Sequence, residues 1–255
     1  MSRACAVVAV VLVVASPQAA DDLHVMTSGA FTAAYLELAA EFQRREGHRL
    51  VTEATSMGTG STSIEARLAR GEAIDVVIVA RDALEQLIAQ GHVVAGSRVD
   101  LARSAIGLAV RRGAPKPDIS TVDALRRTLL AADSIAYSAS VSGTYFSTEL
   151  VQSLGIADQV LPKSRRIEGE RVATVVARGE AELGLQQVSE LLPVPGVDYI
   201  GPLPEPVQRV TVFAGGVGTK AASPQSARAF LAFLASPSAA ETIRKTALEP
   251  VARQP

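Results

Sequence analysis

Three short runs of small, hydroxyl-bearing and glycine residues carry the chemistry open to this chain. Thr27-Ser28-Gly29-Ala30 follows the apolar residues Leu23, Val25 and Met26. It precedes a helical pattern with Tyr35, Leu36, Ala39 and Phe42 on one face. Thr55-Ser56-Met57-Gly58-Thr59-Gly60-Ser61-Thr62-Ser63 follows the short strand signal at Leu50-Val51, and Ser138-Ala139-Ser140-Val141-Ser142-Gly143-Thr144 follows a strand over 134–138. In each case a strand feeds through a small polar turn into a helix. The first N–H groups of a helix have no partner within it, and they lie at the positive end of its dipole. Small side chains let a ligand come close to that backbone. The resulting chemistry is capture of an anion by uncharged N–H and O–H donors, and the plainer reading of each turn is an ordinary helix cap. The candidate donors are Ser28, Gly29 and Ala30, then Gly58, Thr59, Ser61 and Thr62, then Ser142, Gly143 and Thr144. Gly58-Thr59-Gly60 lacks the third glycine of a dinucleotide fingerprint and the Gly-Lys-Ser/Thr ending of a nucleotide loop, so a small anion or a flexible turn is what it suits.

Arg81 stands directly after the apolar run Ile74–Ala80, which only Asp75 interrupts. Such a run reads as a strand buried on both faces of a parallel sheet. Ligands sit at the C-terminal edge of such sheets. A cation there is either a partner for an anionic ligand or a surface residue paired with a neighbour such as Asp82. Signals for catalysis are weak. His24, His48 and His92 are scattered without metal-ligand spacing, there is no Gly-x-Ser-x-Gly elbow, and Ser142 has no base beside it in sequence. The reading is therefore a binding protein rather than an enzyme, with no metal and no cofactor.

The elements that must hold these turns are strands and helices in alternation. A helix over 32–46 ends at Gly47, another runs from about Ser61 to Arg70 and stops at Gly71, and a third spans Asp82–Gln90. Strands follow at 104–110 and 134–138, then a helix over 145–154. The turn Ile167-Glu168-Gly169-Glu170 leads into a helix over 171–178 and the strand Leu183–Gln187. Ser120-Thr121-Val122-Asp123 has capping-box spacing, and Pro224 and Pro237 open the last two helices. Ala-Arg-Gly-Glu-Ala occurs at 69–73 and again at 177–181, each time where a helix ends and an apolar strand begins, which suggests two related halves. The turn-rich connector 111–117 marks a lobe boundary near it, and the strand over 210–214 returns the chain to the first lobe.

The chain has 255 residues, enough for two lobes with real cores, and its formal charge of −1 gives no basic footprint for nucleic acid. Residues 1–20 read as a secretory leader: Arg3, an apolar stretch from Ala4 to Ala15, and a small-residue end with cleavage expected after Ala20. Its removal takes away the only cysteine, so the mature chain has no thiol chemistry. The expected location is the periplasm.

On the residues Val25–Ala34, Ser61-Thr62-Ser63, Ala66–Gly71, Ala73–Ile78, Ser142-Gly143-Thr144-Tyr145 and Leu183-Gly184-Leu185, the chain resembles the type II periplasmic solute-binding proteins of ABC importers, most closely their molybdate-binding (ModA-like) branch. The resemblance covers about Leu23 to Val251. It implies an α/β fold of two lobes, each a mixed sheet flanked by helices, with a cleft between them that closes on the solute. The lobes are expected as 21–103 with 208–255, and 104–207. It also implies a membrane permease as partner and a small anion as ligand. Carried over by position, Ala30 stands where molybdate binders have a hydroxyl residue, and Ser61 or Thr62 keeps a second hydroxyl position. Ser142 and Gly169 fall at backbone-donor positions, and Gln187 replaces a tyrosine. With two side-chain ligands changed, a small di- or tricarboxylate is the alternative to a molybdate-like oxyanion. A secreted hydrolase using Ser142, and a sensor subunit, are further alternatives.

Overall fold

The computed structural model describes residues 22–27, 29–53 and 60–251. The first sheet has the strand order β11-β4-β10-β3-β1-β2, from β1 (Asp22–Thr27), β2 (Arg49–Thr52), β3 (Val76–Ala80), β4 (Val99–Ser104), β10 (Thr211–Val217) and β11 (Glu249–Pro250). The second has the order β7-β6-β8-β5-β9, from β5 (Ile106–Arg111), β6 (Ile135–Ser138), β7 (Ser164–Ile167), β8 (Leu183–Gln187) and β9 (Val197–Pro202). Helices α1 (Gly29–Glu46), α2 (Ile64–Ala69), α3 (Arg81–Ala89), α10 (Pro224–Leu234) and α11 (Ala240–Lys245) accompany the first sheet. The second is flanked by α4 (Val122–Ala131), α5 (Val141–Tyr145), α6 (Val151–Ser153), α7 (Ala157–Val160), α8 (Val172–Ala177) and α9 (Val188–Leu191).

Each sheet buries both faces. In the first, Leu23, Val76 and Ile78 point to one apolar cluster with Phe42 and Phe230, while Met26, Val77 and Val79 point to another with Leu84 and Leu87. This is why β3 reads as a continuous apolar run: alternate residues serve opposite cores. Asp75, the interruption in that run, is buried and accepts the N–H of His24 (2.8 Å) and of Ser223 (3.0 Å), joining β1 to the start of α10.

The repeated Ala-Arg-Gly-Glu-Ala builds the same turn twice. Gly71 and Gly179 both take positive φ (86° and 76°), and their N–H groups donate to Leu68 O (2.8 Å) and Val176 O (2.9 Å). The following Glu72 and Glu180 donate back to Arg67 O (3.3 Å) and Val175 O (3.2 Å). Both are glycine-terminated helix ends of the Schellman kind, delivering the chain into β3 and β8.

Several expectations shift. The sequence strand over 104–110 is two strands: β4 ends at Ser104, β5 begins at Ile106, and Ala105 alone carries the chain from one sheet to the other. The passage between sheets therefore lies there, and the connector 111–117 sits inside the second half, between β5 and α4. Val99–Ser104 is half polar, with Asp100, Arg103 and Ser104 among its six residues, and that polarity hid it as a strand. The cap of α4 is Thr121, whose Oγ1 accepts the Ala124 N–H (3.1 Å), one residue later than the box spacing suggests. The helix expected at 145–154 begins at Val141 and widens into a π-helical turn over Phe146–Leu150 before α6.

Candidate functional site: the facing sheet edges

Strand directions decide whether the polar turns meet. β1 and β3 run parallel, and β10 is antiparallel to both β3 and β4, so β4 points the same way as β1 and β3. Its C-terminal residue, Ser104, therefore lies at the edge where β1 and β3 release the chain into α1 and α3. In the second sheet β6, β7 and β8 are parallel, and β5 is antiparallel to β8 with Ile106 opposite Gln187. The chain thus enters the second sheet at the edge where β6 and β8 end. The return obeys the same rule, since β9 ends at Pro202 opposite Gly107, and β10 starts at Thr211 opposite Ser104. Both crossovers join the C-terminal edge of one sheet to that of the other. The C-terminal edges of the two sheets consequently adjoin, and α1 of the first half packs against α9 of the second.

On the first edge, Gly29 and Ala30 form the opening turn of the 18-residue α1, with Ala30 buried. Ser28, Gly58 and Thr59 lie outside the described residues. Ser61 and Thr62 are exposed in the turn before α2, and Ser63 is the cap, its Oγ accepting the Ala66 N–H (3.2 Å). Arg67 fixes this corner through ion pairs to Glu53 (2.9 Å) and Glu72, and Glu53 also meets His24 Nδ1 (2.8 Å). The His24 hydrogen bond, then Arg67, hold the Glu53 carboxyl below its ordinary range. Arg81 is the first residue of α3, half-exposed, and its ion pair among the described residues is a long one to Asp100 (3.6 Å).

On the second edge, Ser138, Ser140 and Ser142 form a hydroxyl cluster. Ser138 Oγ lies 2.8 Å from Ser140 Oγ and 2.9 Å from Ser142 Oγ. Ser142 is buried and its side-chain partners are these hydroxyls, with no histidine or carboxylate among them. The Gly143 and Thr144 N–H groups both donate to Ser140 O (3.0 Å each), so Val141 and Ser142 hold the open N–H positions of this helix start. Gly143 is required by a close approach: a Cβ there would stand 1.6 Å from the Ser138 carbonyl oxygen. Arg166, on β7, reaches into the serine turn with Nη2 3.4 Å from Ala139 O and a loose pair to Glu168 (3.7 Å). Arg171 precedes α8 and forms no ion pair within 4 Å among the described residues.

Gln187 occupies a different position from a turn donor. It is buried at the end of β8. Oriented to satisfy both ends, its amide donates to Ser104 Oγ (2.8 Å) and Ala105 O (3.1 Å) and accepts from Thr211 Oγ1 (2.9 Å). It therefore ties together the two crossovers. Gln208 does the same from the other crossover, accepting the Ile106 N–H (2.9 Å) and donating to Ile106 O (2.9 Å).

Sequence reasoning missed Glu190. It lies in α9, just past β8, 2% exposed, and its Oε2 has no hydrogen-bond partner among the described residues. Burial pushes its carboxyl up to about 7, against the opposing pull of Arg171 and a hydrogen bond from Gln186. The signal was a lone acid inside the apolar stretch Leu183–Leu192. Among the described residues no group of three or more His, Cys, Asp or Glu side chains could hold a metal ion, and no helix is long and apolar enough to cross a membrane.

Two mixed α/β halves joined at facing strand ends define the architecture of a two-lobed solute-binding protein. The chain belongs to the bacterial extracellular solute-binding protein family, whose sequence profile matches residues 23–248. It is 45% identical to an aconitate isomerase from Pseudomonas sp over 234 residues, 91% of this chain and 89% of that protein. It is 27% identical to the molybdate-binding protein ModA of Azotobacter vinelandii over 254 residues, 96% of each. The solved structure of an Azotobacter vinelandii periplasmic molybdate-binding protein superposes with a TM-score of 0.71 at 20% identity, covering 91% of this chain and all of that one, which shows the shared fold.

Proposed function

We propose that this protein takes a small tricarboxylate of the aconitate type between its lobes and interconverts the cis and trans isomers. The observation that carries this reading is the 45% identity to an aconitate isomerase across nine-tenths of the chain. The charges at the facing edges support it. Aconitate carries about three negative charges at neutral pH. Arg81, Arg166 and Arg171 stand at those edges with long ion pairs or none, available for charge-assisted bonds to carboxylates. The loss of a hydroxyl at Ala30 and the engagement of Gln187 in the crossovers weaken the set expected for a tetrahedral oxyanion.

The reaction needs no redox partner. Moving one proton from the methylene carbon to the far end of the allylic system shifts the double bond by one carbon and so exchanges the isomers. A second reading, a molybdate-like oxyanion delivered to a membrane permease, is favoured by the serine cluster and by the similarity to ModA.

Proton NMR of cis- or trans-aconitate incubated with the purified protein tests the activity. A thermal-shift series with both aconitates, tricarballylate, citrate, molybdate, tungstate, sulfate and phosphate tests the ligand. A ligand at a hundred times its Kd adds about 2.7 kcal/mol to stability. The expected result is a shift with aconitate and approach to one isomer ratio from either side. A shift with molybdate alone and unchanged aconitate would overturn the reading.

A further inference from the structure

The junction between the halves contains a polar pair that the fold leaves without protein partners. Glu190 Oε2 and the hydroxyl of its neighbour Ser189 are both buried and both lack a hydrogen-bond partner among the described residues. Buried polar atoms are rarely left so, and each of these two needs a partner that the described protein atoms do not supply. Their location is the relevant one. α9 starts at the crossover, where the Val188 N–H donates to Ala105 O (3.0 Å), and it is the second-half helix against which α1 packs. The Glu190 carboxyl is steadied from one side. Gln186 Oε1 accepts the Val172 N–H at the start of α8 (2.9 Å), and the same amide hydrogen-bonds Glu190. That leaves Oε2 buried and unpaired, with Arg171 as the nearby cation.

We infer that Glu190 is the acid–base group of the interlobe cleft, the carboxyl that takes a proton from the methylene carbon of a bound aconitate-type tricarboxylate and returns it to the other end of the allylic system. This rests on the function proposed above. In the first step the methylene C–H bond breaks, its proton goes to Glu190 Oε2, and the electron pair spreads over the adjacent double bond and carboxylate. In the second, the proton passes from Oε2 to the far carbon, the double bond settles one position along, and Glu190 is again ionised. Arg171 holds the carboxylate on which negative charge accumulates. Burial makes this carboxyl a stronger base than an ordinary glutamate, with a midpoint of about 7, suited to giving and taking a proton near neutrality. The charged group acting on it is Arg171, which precedes α8.

Glu190→Gln keeps the shape and the bond to Gln186 but cannot carry a proton. The expected result is an aconitate thermal shift close to that of the wild type, with isomerisation slowed by about a hundredfold or more. A Glu190→Gln protein that isomerises at nearly the wild-type rate overturns the assignment and leaves the function standing. Wild-type protein that binds aconitate without isomerising it, or that does not bind it, overturns the function and the assignment together. If Glu190→Gln does not fold, wild-type kcat/KM against pH decides. A limb rising through about 7 supports Glu190, and a flat profile between about pH 5 and 8 rules it out.

Discussion

Gly143 shows what a single residue does for this molecule. Its missing side chain lets the helix that begins at Val141 lie against the end of β6, which gathers three serine hydroxyls at one point. Gly143→Ala would drive a methyl into a backbone carbonyl that cannot step aside. It should cost more than about 2 kcal/mol, read as a lower urea midpoint with unchanged slope. That Ser142, Gly143 and Thr144 belong to a strand–turn–helix unit was legible in the residue types alone. The division of labour among them was not, because it depends on which N–H groups Ser140 O takes up. Gln187 was harder still. Its partners lie in the two crossovers, and the number of residues between Gln187 and Ser104 says nothing about their meeting. Glu190 gave only a polar letter in an apolar stretch, since its burial comes from the packing of α9 against distant elements such as α1 and β5.

At the scale of elements, the corner that carries α2 depends on charge. Arg67 bridges Glu53, just after β2, to Glu72, just after α2. Glu53 has a folded-state pKa below its unfolded value of about 4.5, so its contribution to stability is present above that value and disappears as pH falls through the lower one. Arg67→Ala should lower stability by about 1–3 kcal/mol near neutrality. The gap in Tm between wild type and variant should narrow as the pH is lowered from about 6 to about 3. A gap that stays constant would mean that Arg67 acts through packing alone. Most elements were visible in advance because apolar spacing follows their geometry, as in β3 and α10, where Ala227, Phe230, Leu231 and Leu234 are all buried. Those that escaped were short or polar: β4, β7, α7 and α9 offer too few residues, or too many charges, for a period to emerge.

For the whole molecule, the governing fact is that both passages between sheets leave and arrive at the same two edges. A resemblance to solute-binding proteins could suggest facing lobes, but only strand directions and register bring the C-terminal edges of the two sheets together. The amides of Gln187 and Gln208 bind those passages to each other, so any rocking of one half on the other pivots about a small hydrogen-bonded knot.

The place of β10 has a further consequence. It lies between β3 and β4 in the first sheet, yet it is made after all of the second. As the polypeptide emerges from a ribosome or a secretion channel, the later-born sheet has every strand it needs while the earlier one still lacks an inner member. Residues 105–207 expressed alone should therefore melt cooperatively, whereas residues 22–104 alone should remain unstructured by circular dichroism. The order of birth and the order of completion are thus reversed between the two sheets.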